Sequence, residues 1–223
     1  MDGTGELLRP FARALPPGLE PSVVSYPPDP LLGYAELRPL VDAAVPARGP
    51  YVLVAESFSG PLAILHAAAR PPGLRALVLS ATFASNPLPP ALRGLRLLAR
   101  PSLFRVRPTE SFVREYLLGA EAPPEVLDLA MAVSRKLDPA VMAFRLRQVL
   151  DVDVEASLAS VAVPALYLGA SADRLVGKRA RDRIAARLPG LEVVVLDAPH
   201  LLLQARPAEA AREVVRFLAA RGG

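Results

Sequence analysis

The sequence predicts an α/β fold, a mostly parallel sheet flanked by helices with an all-helical block inserted. Three observations predict it. Short β-rich runs alternate with helical stretches at both ends of the chain. Some of those runs are apolar throughout, as strands covered on both faces must be. The alternation then stops between Asn86 and Val161, where no convincing strand is visible.

The elements follow in order. "MDGTGELLRPF" opens with a glycine turn at Gly3 and Gly5, and Thr4 caps a short helix carrying Leu7, Leu8 and Phe11. "SVVSY" (22–26) reads as a strand ended by prolines, and 33–45 as a helix with Pro39 inside it. "YVLVA" (51–55) is a buried strand, 59–69 a helix with Pro61 in its first turn, and "LRALVLSA" (74–81) a second buried strand. Within the block, Thr109 caps "ESFVREYLL", closed by Gly119, and Asp138 with Pro139 starts "AVMAFRLRQVL". Alternation resumes with strand 163–170, helix 178–188, strand 191–197 and an amphipathic helix 207–220. The resulting division is a core of 1–85 and 162–223, with residues 86–161 as a helical cap.

Composition excludes several classes of function. The chain has 223 residues, 52% hydrophobic and 22% charged, which fits a globular domain and argues against disorder. It has no cysteine, so disulfides, thiolate catalysis and Cys-ligated metals are excluded. The two histidines, His66 and His200, are too few for a multi-histidine metal site. No metal or cofactor is therefore expected. The net charge of +4 rests on scattered arginines rather than on a basic stripe interleaved with aromatics, so no nucleic-acid partner is expected. No apolar run approaches the ~18 residues of a membrane span, and no signal-peptide pattern is present. The expectation is a cytoplasmic protein without membrane insertion.

Chemistry enters at "YVLVAESFSG". Ser57 sits between a buried strand and a helix, with the small residues Ala55 and Ser59 two positions either side. A serine on a sharp strand-to-helix turn needs an unusual backbone conformation that bulky neighbours would obstruct. The turn lifts the hydroxyl off the sheet and aims the first helical N–H groups, including that of Phe58, at one point. An ordinary helix cap is the competing reading. A nucleophilic serine needs a base. His66, mid-helix in "ILHAAA", reads as a packing residue; His200, in the loop after the last strand, stands where such sites assemble. The base needs an acid to fix its tautomer. Asp173 follows the preceding strand in "LYLGASADRLV", while Asp197, nearer in sequence, reads as a brace for the loop.

Together "VAESFSG", "YLGASADRLV" and "DAPHLLLQARPAEAAREVVRFL" resemble the α/β-hydrolase family, and the helical block falls at the family's cap position. The resemblance implies an α/β-hydrolase-like fold, with Ser57 as nucleophile, His200 as base and then acid, and Asp173 as orienting acid. "MDGTGELLRPF" resembles the second half of the family's oxyanion loop, which implies Phe58 and Met1 as oxyanion donors. The strands that precede this loop in the family, one of them central, are missing from the sequence.

The activity so implied is hydrolysis of small carboxylic esters with short to medium acyl chains. Thioesterase, lactonase or acyltransferase chemistry uses the same triad. One form acts on acyl chains of an acidic carrier protein, met by Arg93, Arg96, Arg100, Arg105 and Arg107 of the cap. A degenerate, non-catalytic binding protein is the alternative from a different class. A homo-oligomer covering the open sheet edge is left open.

Overall fold

The computed structural model describes residues 1–89, 94 and 96–221. Its centre is a four-stranded parallel sheet in the order β1-β2-β3-β4. The strands are β1 (Tyr51–Glu56), β2 (Leu74–Ser80), β3 (Ala165–Ala170) and β4 (Glu192–Leu196). The runs at 74–81 and 163–170 became the inner strands: every residue of β2 is buried except Arg75, and five of six in β3. The run at 51–55, expected as a buried strand, is half-buried with only Ala55 fully covered, because it lies at the edge of the described sheet. Among the described residues β1 pairs with β2 alone and is therefore an edge strand.

Strand alternation sends successive side chains to opposite faces. Leu77, Leu79, Ala165 and Tyr167 pack on one side with Leu37, Leu62 and Ile184. Those partners come from α2 (Tyr34–Ala44), α3 (Gly60–Ala68) and α7 (Lys178–Ala185). Val78, Leu166 and Leu168 pack on the other side with Phe11, Val214 and Phe217. These belong to α1 (Arg9–Ala14) and α9 (Pro207–Ala219). The helix starts obey local rules. Gly33 N–H donates to Glu36 Oε2 at 2.9 Å ahead of α2. Pro39 is accommodated within that helix.

Between β2 and β3 lie α4 (Glu110–Val113), α5 (Pro124–Lys136) and α6 (Pro139–Asp151). Asp138 caps α6 through Ala140 N–H (2.6 Å) and Val141 N–H (3.2 Å). Thr109 caps α4 through Phe112 N–H, but the helix expected after it is only four residues of α-helix. It widens into a π-turn over Arg114–Leu118, closed by Gly119 N–H to Arg114 O at 2.8 Å with Gly119 at φ 83°.

One expected strand is not a strand. Residues 22–26 form no β-ladder. Their β-branched side chains suit a pleat, but strand identity also needs a partner edge. Among the described residues Tyr26 N–H donates to the carbonyl of Gly3, at 2.7 Å, and no neighbouring strand pairs with 22–26.

Candidate active site

Ser57 ends the β1 run and starts a 3-10 turn (Ser57–Ser59) leading into α3. Its φ is 52°, a left-handed conformation that a serine adopts only when its surroundings enforce it. The enforcing contacts come from the loop after β2. Thr82 Oγ1 donates to the Ser57 carbonyl. Thr82 is itself fixed by Tyr167, whose hydroxyl accepts from Thr82 N–H (3.0 Å) and donates to Thr82 O (2.8 Å). Gly60 leaves the room: a Cβ there would collide with the Thr82 side chain. Gly60→Ala should therefore cost ~1–3 kcal/mol of stability, read as a lowered urea midpoint, and loosen the Ser57 turn.

His200 follows β4 and is 4% exposed. Its Nε2 lies 2.9 Å from Ser57 Oγ and its Nδ1 lies 2.8 Å from Asp173 Oδ2. A carboxylate can only accept, so Nδ1 carries the proton and Nε2 is free to accept from the serine hydroxyl. Asp173 Oδ1 accepts from Leu175 N–H and Val176 N–H, both at 2.8 Å. Loops after β1, β3 and β4 thus bring the three expected residues into one hydrogen-bonded chain. Asp197 accepts from the Ser171 hydroxyl at 3.0 Å and braces its loop, as its position suggested. His66 packs in α3, between Tyr51 OH (2.7 Å) and Asp42 Oδ1 (2.6 Å).

The π-turn serves this site, because Leu117 O accepts Leu201 N–H at 2.8 Å, one residue past His200. Phe58 is buried, its ring stacked on Tyr34 with centroids 4.8 Å apart. Met1 lines the same cavity as Ser57 and His200. Its carbonyl, with that of Asp2, accepts from Arg145 Nη1 at 2.8 and 3.0 Å. Arg145 Nη2 reaches the carbonyls of Tyr26 (3.5 Å) and Pro27 (3.0 Å). Tyr26 OH donates to Ser59 Oγ at 3.0 Å, and burial pushes this phenol up, keeping it a donor. The glycine turn is explained by the same contacts. Gly3, at φ 78°, lies so close to the Arg145 guanidinium that a Cβ would strike it.

The cavity has a volume of about 1950 Å³. Leu88, Val133, Met142, Leu146, Val149 and Leu150 give it an apolar wall on the side of the inserted helices, and a second arm runs along β1. Glu56 lines it too, with a carboxyl raised chiefly by the surrounding protein's exclusion of water. Among the described residues there is no cluster of three or more His, Asp or Glu that could hold a metal ion, and no helix long and apolar enough to cross a membrane.

Of the five arginines considered for a carrier surface, Arg93 lies outside the described residues. Arg96 pairs with Asp151 and Arg107 donates to the carbonyls of Ser134 and Leu137. Arg100 and Arg105 are exposed. Sequence reading missed Glu56, Thr82, Arg145 and Gln204. Thr82 had one available signal, its place just past a buried strand; the other three are defined by contacts distant in sequence.

The fold recurs in solved structures. A hydrolase from Oleispira antarctica superposes with a TM-score of 0.81 at 13% identity, covering 98% of this chain and 88% of that one. MenH from S. aureus gives 0.76 at 17% identity, covering 100% and 92%. A hydrolase from Pseudomonas aeruginosa gives 0.66 at 25% identity, covering 88% and 76%. Among curated proteins none matches the sequence. The sequence matches the alpha/beta hydrolase family over residues 4–213, a span that contains the Ser57 turn, the Asp173 loop and the His200 loop. With a parallel sheet, helices on both faces and that match over most of its length, the chain belongs to the α/β-hydrolase family.

Proposed function

We propose that the protein is a serine hydrolase of carboxylic esters. The observation that carries this reading is the unbroken Ser57–His200–Asp173 chain, with Ser57 held at φ 52° on the cavity wall. Ser57 Oγ attacks the ester carbonyl while His200 Nε2 takes its proton. Asp173 keeps the proton on Nδ1 and stabilises the imidazolium. The Phe58 N–H and a donor at Met1 are the proposed oxyanion donors; one such donor contributes ~2.7–4 kcal/mol. The imidazolium then protonates the leaving alkoxide, and the acyl group stays on Ser57. Water, deprotonated by His200, releases the acid and restores the serine.

The apolar wall of the cavity that Ser57 lines suits a short to medium acyl chain. Lactones are cyclic esters opened by the same steps. One neighbour at 21% identity is an enol-lactonase from Burkholderia xenovorans, so lactones belong in the substrate set. The test is hydrolysis of p-nitrophenyl esters of increasing chain length, with mass spectrometry of the trapped adduct. Hydrolysis lost in Ser57→Ala, with the adduct on the Ser57 peptide, is the expected result. No hydrolysis by the wild type, or activity retained in the variant, overturns it.

A further inference from the structure

We infer that Glu56 is a positioning residue for this reaction, gripping the His200 loop with both carboxylate oxygens and favouring the imidazolium through its charge. The inference rests on the serine-hydrolase reading above. Glu56 immediately precedes Ser57. Its Oε1 accepts Leu203 N–H at 3.0 Å and its Oε2 accepts a Gln204 Nε2–H at 2.8 Å. Leu203 and Gln204 lie three and four residues past His200, in the short helix α8 (Leu202–Ala205). Two consecutive residues of β1 and its turn thus hold both ends of one segment: Ser57 meets His200, and Glu56 meets the backbone and side chain beyond it. The distance between nucleophile and base is fixed locally rather than through the whole sheet.

Two donors converge on Glu56, so the group between them needs two acceptors and no donor. A carboxylate meets that need, but its charge is costly where protein excludes water. That cost is seen in the raised carboxyl, which bonds from Leu203 and Gln204 and attraction to His200 and the Met1 amino group only partly offset. Among the described residues, His200 and the Met1 amino group are the titratable groups facing Glu56. Asp173 faces His200 from the other side, and Asp2 and Arg145 face the Met1 amino group. A carboxyl raised by folding stabilises the protein fully below its unfolded value and loses that contribution as pH rises through its folded value. Retaining the charge at neutral pH therefore works against stability, and its benefit lies in the imidazolium that forms during acyl transfer.

The site supplies a clean test. Gln204 Oε1 is buried without a hydrogen-bond partner among the described residues. In Glu56→Gln the new amide can accept Leu203 N–H and donate to that oxygen once the Gln204 amide turns over. The grip survives and the charge is lost, with the Gln204 NH₂ taking the unpartnered place its Oε1 held. The acid limb of the kcat/KM profile should move to lower pH by roughly 0.5–1 pH unit, because the neutral imidazole needed for attack is easier to keep. The kcat should fall roughly 3- to 30-fold, because the imidazolium formed later is harder to hold. The variant should unfold at or above the wild-type temperature in mildly alkaline buffer. Gln204→Leu keeps the charge and removes one arm of the grip, so it should lower kcat without moving the limb.

The same profiles are read from the rate of Ser57 labelling by a fluorophosphonate, which needs the neutral imidazole but no ester substrate. If the wild type labels at Ser57 yet hydrolyses no ester, the ester reading fails, and the labelling profile of Glu56→Gln still decides this one. An acid limb unchanged in Glu56→Gln overturns the role of the charge, and so does a variant that unfolds well below the wild type.

Discussion

Asp173→Asn should lower kcat about 10⁴-fold while leaving the fold intact. The size follows from the geometry around the carboxylate. Leu175 N–H and Val176 N–H both donate to Oδ1. An asparagine at 173 must keep its oxygen against those two donors, so its NH₂ is turned towards His200 Nδ1. That nitrogen would then have to accept, and the imidazole proton would move to Nε2. A protonated Nε2 cannot take the Ser57 proton. The side chain is 3% exposed, so water has little access to rescue the tautomer. Steady-state kinetics should show the loss in kcat with KM nearly unchanged, and circular dichroism should match the wild type. A loss of less than tenfold would mean that Asp173 does not set the tautomer.

The largest loss of stability is expected at Arg145. It is 1% exposed, on α6, and its four hydrogen bonds all go to backbone carbonyls of Met1, Asp2, Tyr26 and Pro27. Arg145→Met removes the donors and leaves those carbonyls facing an apolar side chain. Each unsatisfied buried acceptor costs ~1–3 kcal/mol, and because Met1, Asp2, Tyr26 and Pro27 are only half-buried, partial rehydration reduces the sum to ~3–5 kcal/mol. Urea unfolding measures it, and a cost below ~1 kcal/mol would rule out the clamp. Arg145→Lys should recover less than half, since an ammonium cannot span four acceptors in a planar fork.

Much of the fold was legible because its signals are local. The runs 51–55, 74–81 and 163–170 are apolar on every residue or nearly so, which marks them as strands; burial followed for the inner two, while 51–55 is a half-buried edge strand. Residues 22–26 have the same local character without a partner, and pairing is a fact about two segments, not one. The site divides the same way. Ser57, Asp173 and His200 each stand at a strand end with a turn the sequence marks. Arg145 sits in a helix that the sequence marks only by its Asp138–Pro139 start, and its role exists because segments more than a hundred residues away present carbonyls to it. Glu56 was read only as the residue between Ala55 and Ser57, and its partners Leu203 and Gln204 come from the far end of the chain.

The Thr82–Tyr167 tie also says something about how the site comes into being during folding. Ser57 and Thr82 lie in the first half of the chain and pair through neighbouring strands, an inexpensive loop to close. Tyr167 belongs to β3, which reaches β2 only after the whole helical insertion has been spanned, at a larger entropic cost. The left-handed turn at Ser57 is secured through Thr82 only when Tyr167 arrives. That same closure carries in Asp173, and His200 follows when β4 pairs with β3. The fixed turn and the acid therefore depend on the β2–β3 pairing and the base on the β3–β4 pairing, so the first half of the chain alone carries a serine with neither a fixed turn nor a proton acceptor.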